Sequence, residues 1–180
     1  MKFFTHALFI LQGGRDMFGK PFYNFLYSLF LVLVTAFICS YFNNFGMENF
    51  YSEINLSVLT PPDYVFPIVW VILYALLVVA FDLVLNHADK QKIRVAAQFF
   101  ILNLFLQALW TYVFFYNAYF LIGFAVLIVL DLVTLAMIKI FYDIDKKAGL
   151  LLVPYLLWVL FASYLNWAVV NLNGATFYLQ

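Results

Sequence analysis

The sequence predicts an all-α integral membrane protein in which five helices cross the membrane. Hydrophobic residues make up 67% of the chain and charged residues 10%, whereas a soluble domain carries about 25% charged residues. The mean hydropathy is +1.00. Five apolar segments follow one another, each near the roughly 20 residues that a spanning helix needs, and none alternates apolar with polar residues as a barrel strand does. We therefore expect a multi-pass protein of a bacterial envelope or a mitochondrial membrane.

The predicted spans lie at about residues 22–42, 62–85, 95–116, 119–142 and 149–172. They form one transmembrane domain, 21–173, followed by a short tail, 174–180. The N-terminal extension, 1–20, contains a short apolar run interrupted by His6 and lacks a small-residue cleavage site. This pattern favours a helix at the membrane interface over a signal peptide.

The positive charges predict both the helix count and the orientation. With five spans, all nine Lys and Arg residues fall on one side of the membrane, whereas four or six spans would divide them. The other side carries Glu48, Glu53 and Asp63. By the positive-inside rule, the N-terminus is expected on the inner side. Because the net charge is zero and no basic run occurs, nucleic-acid binding is excluded.

The connections between spans differ in length. Little more than Asn117 and Ala118 separates the third span from the fourth, so these two helices should pack as antiparallel neighbours. The longest outer connection, 43–60, carries the aromatic residues Phe50 and Tyr51. Such a segment is either a lid over the bundle or part of an interfacial aromatic belt.

Prolines mark the second and fifth helices. Thr60 is followed by Pro61-Pro62 and Asp63, a pattern that predicts a helix start capped by the threonine hydroxyl. Pro67 and Pro154 each remove a backbone hydrogen bond and are expected to kink their helices.

Three spans carry aromatic and amide side chains at helical spacing. The second has Phe66, Trp70 and Tyr74; the third has Asn103, Gln107 and Trp110; the fifth has Tyr155, Trp158, Ala162 and Asn166. A buried amide in a membrane needs a partner. The amides therefore either join neighbouring helices, or line a cavity between the second, third and fifth helices that suits a flat, largely apolar ligand. Periodicity alone leaves both interpretations open.

No catalytic residue and no metal site is predicted. The chain lacks a nucleophile elbow, zinc-ligand spacing and a phosphate loop. His6 and His87 fall outside the spans, which excludes a bis-histidine haem site inside the membrane. Asp131 is predicted near mid-membrane, where a charge is costly, so it is protonated, paired with a polar group, or functional.

Three motifs resemble signatures of the TspO/MBR family (translocator protein, tryptophan-rich sensory protein). Trp110 followed by Phe114-Phe115 is similar to the third-helix pattern. Pro61-Pro62-x-x-Val65-Phe66-Pro67-x-Val69-Trp70-x-x-x-Tyr74 is similar to the second-helix signature. Pro154-Tyr155-Leu156-Leu157-Trp158-Val159-x-Phe161-Ala162-x-Tyr164-Leu165-Asn166 is similar to that of the fifth helix. The resemblance covers about Phe50 to Asn173. It implies a five-helix bundle of TspO/MBR type that is often dimeric, in agreement with the count above.

The resemblance also implies a ligand and its pocket. Family members bind porphyrins, so a porphyrin or haem-like tetrapyrrole is the expected partner besides the lipid bilayer, with no required cofactor. Trp70 and Trp158 would be the pocket tryptophans linked to porphyrin binding and to its light-dependent breakdown. The same cavity would be lined by Phe66, Tyr74, Ala162 and Leu165. The amides Gln107 and Asn166 would orient polar groups of the ligand, with Trp110 and Tyr155 beside them.

The first outer loop departs from the family pattern. Its residues Phe50-Tyr51-Ser52-Glu53-Ile54-Asn55-Leu56-Ser57 lack the Trp, Lys and Pro that the family usually has there. Together with the N-terminal extension, this departure motivates an alternative function. The chain would then be a structural or accessory subunit of a larger membrane assembly, such as a respiratory complex.

Overall fold

The computed structural model describes residues 2–87 and 90–176, with side chains described from Lys20 onward. Residues 177–180 of the predicted tail lie outside this part of the chain. The described residues form helices without a strand, and the longest connection between them is 50–64. The helices are α1 (Lys2–Asn49), α2 (Val65–Leu85), α3 (Lys90–Thr111) with a π-helical continuation (Tyr112–Tyr116), α4 (Phe120–Ile144), α5 (Lys146–Leu151) and α6 (Val153–Asn173).

Five stretches of these helices are long and apolar enough to cross a membrane, which confirms the predicted fold class. They are Lys20–Asn49, Val65–Leu85, Lys90–Tyr116, Phe120–Ile144 and Lys146–Asn173. The first prediction to be corrected is the boundary of the first span. Helix α1 runs without a break from Lys2, because a helix already formed gains a backbone hydrogen bond with each added residue. It also continues to Asn49, so the first outer connection begins at Phe50 and not at residue 43.

The predicted threonine cap of the second helix is wrong. Helix α2 begins at Val65, and Tyr64 occupies the N-cap position without a side-chain cap bond. Thr60 instead lies in a turn, in which its N–H donates to the carbonyl of Ser57 at 2.9 Å. The consecutive prolines explain the difference, because a residue followed by proline is disfavoured in the helical conformation. Pro67 thus falls in the first helical turn, where its missing N–H breaks no helical hydrogen bond.

The fifth span is interrupted, as Pro154 predicts. Helices α5 and α6 are separated at Leu152, and Pro154 occupies the first turn of α6. The side chain of Asp145 caps α5, accepting from the N–H groups of Lys147 at 2.7 Å and Ala148 at 3.1 Å. Proline cannot donate to the preceding turn, so the chain ends one helix and starts another at this point.

The bundle is antiparallel and has two ends of opposite charge. The start of the membrane-spanning stretch of α1 meets the end of α2, where the Asn24 amide donates to the Leu85 carbonyl at 3.2 Å. Helix α4 follows α3 closely after a turn in which Ala118 has a φ of 52°. One end, here called the basic end, carries the described cations Lys20, Lys90, Lys92, Arg94, Lys139, Lys146 and Lys147. The opposite, acidic end carries Glu48, Glu53 and Asp63. Which end faces the inner side of the membrane stays a prediction.

Candidate ligand-binding site

Two cavities lie between the helices toward the acidic end. The larger has a volume of about 530 Å³ and is enclosed by α1, α2 and α3 with part of the first outer connection. The smaller, of about 50 Å³, lies between that connection, α2, α3 and α6. Four aromatic side chains line both cavities and therefore form the partition between them: Tyr51, Phe66, Trp110 and Phe115.

The aromatic wall of the larger cavity comes from α2. Phe66, Trp70 and Tyr74 follow one another on successive helical turns and all line this cavity. The rings of Trp70 and Tyr74 lie 5.4 Å apart at 31° to each other. The spacing that predicts this stripe thus brings a continuous aromatic surface to one side of the cavity.

Gln107 supplies a polar group to the opposite wall. Its side chain is 1% exposed, and it lines the larger cavity from α3. Neither its amide nitrogen Nε2 nor its oxygen Oε1 has a hydrogen-bond partner among the described residues. A buried polar group without a partner costs about 1–3 kcal/mol. The Gln107 amide, which the described residues leave unpaired, therefore lies buried at the wall of the larger cavity.

The other two predicted amides are fully engaged with neighbouring helices. Asn103 donates to Thr134 Oγ1 at 2.8 Å and accepts from the hydroxyl of Tyr155 at 2.9 Å. Asn166 donates to the carbonyl of Phe120 at 2.8 Å and accepts from Trp110 Nε1 at 3.1 Å. These two residues join α3, α4 and α6, as the first of the two interpretations requires.

The sequence predicts that the fifth span lines the binding cavity, but no residue of α6 is among those that line the larger cavity. Ala162, Leu165 and Asn166 line only the smaller cavity. Tyr155 is fully buried, and it lines neither cavity. Trp158 also lines neither, and it packs edge-on against Phe66 with ring centroids 5.9 Å apart. The space predicted between the second, third and fifth helices is thus the smaller cavity.

Helix α1 takes the place of α6 as a wall of the larger cavity. The α1 residues on this wall are Ala36, Cys39, Ser40, Asn43, Asn44 and Met47. Sequence reasoning missed them because the resemblance to the family begins only at about Phe50. A signal was present, since the polar residues Ser40, Asn43 and Asn44 recur at helical spacing inside an otherwise apolar span.

The predicted lid residues have different positions. Phe50 is fully buried, and its ring lies 5.9 Å from that of Phe120. Tyr51 is half-buried and lines both cavities. Burial, and then the nearby carboxylate of Asp63, raise the pKa of the Tyr51 phenol to about 12. Phe50 therefore anchors the connection, while Tyr51 covers the acidic end of the cavities.

Asp131 lies away from both cavities. Its side chain is buried, and the hydroxyl of Ser163 donates to its Oδ2 atom at 2.7 Å. Of the expectations for this residue, pairing with a polar group is confirmed for Oδ2, whereas the buried Oδ1 atom has no hydrogen-bond partner among the described residues. The pair joins α4 to α6.

The sequence profile of the TspO/MBR family matches residues 28–172. The chain belongs to the TspO/MBR family. The resemblance expected from the sequence motifs is thereby confirmed, and the match extends beyond those motifs into α1.

Relatives of this TspO/MBR chain occur in archaea and bacteria. It is 35% identical to the tryptophan-rich protein TspO of Archaeoglobus fulgidus over 147 residues, which is 82% of this chain and 95% of that protein. It is 34% identical to the TspO of Chlorobaculum tepidum over 144 residues, 79% of this chain and 91% of that protein. A tryptophan-rich sensory protein of Cereibacter sphaeroides is 33% identical over 126 residues, 70% of this chain and 78% of that protein.

Proposed function

We propose that this TspO/MBR chain binds a flat lipophilic ligand of the tetrapyrrole class in the larger cavity. The volume of about 530 Å³ lies within the range of pockets that take small organic ligands, about 300–1,000 Å³. The ligand would lie between the aromatic surface of α2 and the facing walls of α1 and α3.

The unpaired amide of Gln107 is the observation that carries the proposal. A membrane protein gains nothing by burying an amide without a partner, because lipid offers no hydrogen bonds in return. Asn103 and Asn166 have partners, and Gln107 has none among the described residues. A carbonyl at the ligand edge would accept from Gln107 Nε2, and a hydroxyl or N–H group there would donate to Gln107 Oε1.

Stacking would supply most of the remaining affinity. Trp70 and Tyr74 present their rings to the cavity at helical spacing, and aromatic surfaces are the largest contributors per residue to the burial of an apolar ligand. The Trp110 indole is held by Asn166, so that wall would be rigid before the ligand arrives.

The test is a titration of the detergent-purified protein with a protoporphyrin, as the free diacid and as its dimethyl ester. Binding is followed by the Soret absorption of the ligand, which no protein substitution alters directly. Gln107→Leu removes the unpaired amide from the cavity. Gln98→Leu is the matched control, because Gln98 is an exposed glutamine of the same helix that lines neither cavity.

We expect saturable binding by the wild type in the micromolar range with at least one of the two porphyrins. Gln107→Leu should weaken it about tenfold, or roughly 1.4 kcal/mol, and Gln98→Leu should leave it unchanged. The proposal is wrong if neither porphyrin binds saturably, or if Gln107→Leu binds as tightly as Gln98→Leu.

A second function, that of an accessory subunit, is favoured by the length of α1. This helix begins at Lys2, well before the span that starts at Lys20, and so extends past the membrane at the basic end. Extraction from native membranes in a mild detergent, followed by size exclusion, tests the idea. A partner subunit that co-elutes with the full chain supports it, whereas a lone species of monomer or dimer size contradicts it.

A further inference from the structure

The first outer connection contains an uncharged stretch that ends in an exposed apolar turn. Residues 54–62 include no Asp, Glu, Lys, Arg or His. Within them, the Thr60 N–H donates to the Ser57 carbonyl at 2.9 Å and closes a turn. The two residues at the centre of this turn are Val58, which is 99% exposed, and Leu59, which is 59% exposed. We call residues 57–60 the apolar turn.

The apolar turn lies beside α6 and not beyond its end. The hydroxyls of Ser57 and Tyr164 are 3.4 Å apart. At 1.5 Å per residue, Tyr164 is about 14 Å along α6 from Asn173, the last residue of that helix. Close to Tyr164 in the sequence, Asn166 donates to the carbonyl of Phe120, the first residue of α4. The turn is therefore about level with the start of α4.

The neighbouring helices already expose apolar side chains at this level. Leu121 and Ile122 are exposed at the start of α4, and Trp167 is exposed on α6. Both helices belong to stretches that are long and apolar enough to cross a membrane, so these side chains face lipid. The apolar turn thus continues a lipid-facing surface, and an exposed apolar patch of this kind marks an interaction site.

The backbone around the turn needs little water. The Leu59 N–H donates to Ser57 Oγ at 3.2 Å, in addition to the hydrogen bond that closes the turn. Pro61-Pro62 follows, and proline has no N–H that requires a partner. At the other end of the stretch, the Asn55 N–H donates to Asn173 Oδ1 at 2.7 Å. A peptide N–H without a partner is costly where water is scarce, so this pattern suits a segment at the edge of the acyl chains.

We propose that Val58 and Leu59 insert into the lipid leaflet at the acidic end and anchor the first outer connection there. The partner is the bilayer, at the boundary between its head groups and acyl chains. Insertion removes two apolar side chains from water, and no charge in residues 54–62 opposes it. Leu56 and Thr60 line the smaller cavity, so the anchor also holds the cover of that cavity against the bundle. The inference does not depend on the ligand proposed above.

The first test places one fluorophore at the turn and at a matched site of the same connection. The chain has a single cysteine, Cys39, which is replaced by serine before Val58→Cys or Ser52→Cys is introduced. Ser52 is exposed and lies outside the uncharged stretch. Each full-length variant is labelled with a nitrobenzoxadiazole iodoacetamide and reconstituted into phosphatidylcholine nanodiscs. A phosphatidylcholine with a nitroxide near the head of its acyl chain quenches a label in lipid, and iodide quenches a label in water.

We expect opposite responses at the two positions. The nitroxide lipid should quench the label of Val58→Cys several-fold more than that of Ser52→Cys, and iodide should quench it several-fold less. The inference is wrong if iodide quenches both labels equally, or if the nitroxide lipid leaves the label of Val58→Cys unquenched. Because both labels have the same tether, partition of the fluorophore by itself would act equally at both positions.

A second measurement needs no label and keeps Cys39. Hydrogen exchange of residues 54–62 is measured by mass spectrometry in the same nanodiscs for the wild type, Val58→Asp/Leu59→Asp and Ser52→Asp. A charged turn is expelled from the acyl chains, so exchange should be several-fold faster in the double variant and unchanged in Ser52→Asp. Exchange in the double variant at the wild-type rate would contradict the anchor. Porphyrin titration of the wild type tests the proposed function separately, so either proposal can fail without the other.

Discussion

The buried amides on the two sides of α3 differ in their hydrogen bonding. Toward α4 and α6, Asn103 and Asn166 each use their donor and their acceptor in hydrogen bonds to neighbouring helices. Toward α1 and α2, Gln107 has neither bond among the described residues and lines a cavity of about 530 Å³. One helix thus contributes to a closely joined half of the bundle and to an open half.

The difference supports the proposal that the two sides of the bundle have separate roles, one in stability and one in binding. In lipid, hydrogen bonds between helices hold a bundle together because no water competes for them. The α3–α4–α6 side uses its amides for this purpose and adds the Ser163–Asp131 pair. The α1–α2–α3 side has a cavity and an amide that is unpaired among the described residues, and the proposed ligand would occupy that cavity without breaking a hydrogen bond between helices.

Filling the larger cavity should have the largest effect on porphyrin affinity. Ala36→Trp places a large side chain into the larger cavity from α1 and should lower porphyrin affinity about a hundredfold, roughly 2.7 kcal/mol. Ala162→Phe fills the smaller cavity from α6 and is the control. It should leave the affinity within about threefold of the wild type, as measured by Soret titration. An equal loss in both variants would mean that the ligand occupies both cavities together.

Replacing a paired amide by leucine should lower the free energy of unfolding, whereas replacing the unpaired amide should not. Asn166→Leu leaves the Trp110 indole N–H without its partner and should lower the free energy of unfolding by about 1–3 kcal/mol. Gln107→Leu breaks no hydrogen bond within the described residues, so the ligand-free protein should be as stable as the wild type or more stable. Thermal unfolding in detergent, followed by circular dichroism, measures both. Equal destabilisation would show that Gln107 is structural.

Replacing the two predicted pocket tryptophans should change porphyrin affinity by less, and Trp70 should matter more than Trp158. Trp70 lines the larger cavity, and Trp70→Phe should weaken porphyrin binding about fivefold through lost stacking area. Trp158 reaches the cavity only through its contact with Phe66, so Trp158→Phe should weaken it about twofold or less. Trp167→Phe, at an exposed position next to Phe124, is the control for loss of an indole. A larger effect of Trp158 than of Trp70 would move the site toward α6.

Much of the candidate site can be predicted from the sequence, because each set of aromatic or amide residues lies on one face of a single helix. Helical spacing places Phe66, Trp70 and Tyr74 on one face of α2, and the structure has all three on one cavity wall. The spacing within α6 predicts equally well which of its residues share one face. It does not say which neighbour that face meets, and Tyr155 is buried against α3, where it donates to Asn103.

The sequence by itself determined the membrane fold, because hydropathy, span length and the grouping of Lys and Arg depend on the solvent and not on which helices are neighbours. It also determined the family, through motifs that are local in the chain. Only the tertiary structure decided that α1 walls the larger cavity and that Gln107 alone of the three predicted amides is unpaired among the described residues. Both depend on contacts between helices far apart in the chain. Side chains of the same type at the same spacing can meet a partner or an open space, and only the packing of the whole bundle distinguishes the two.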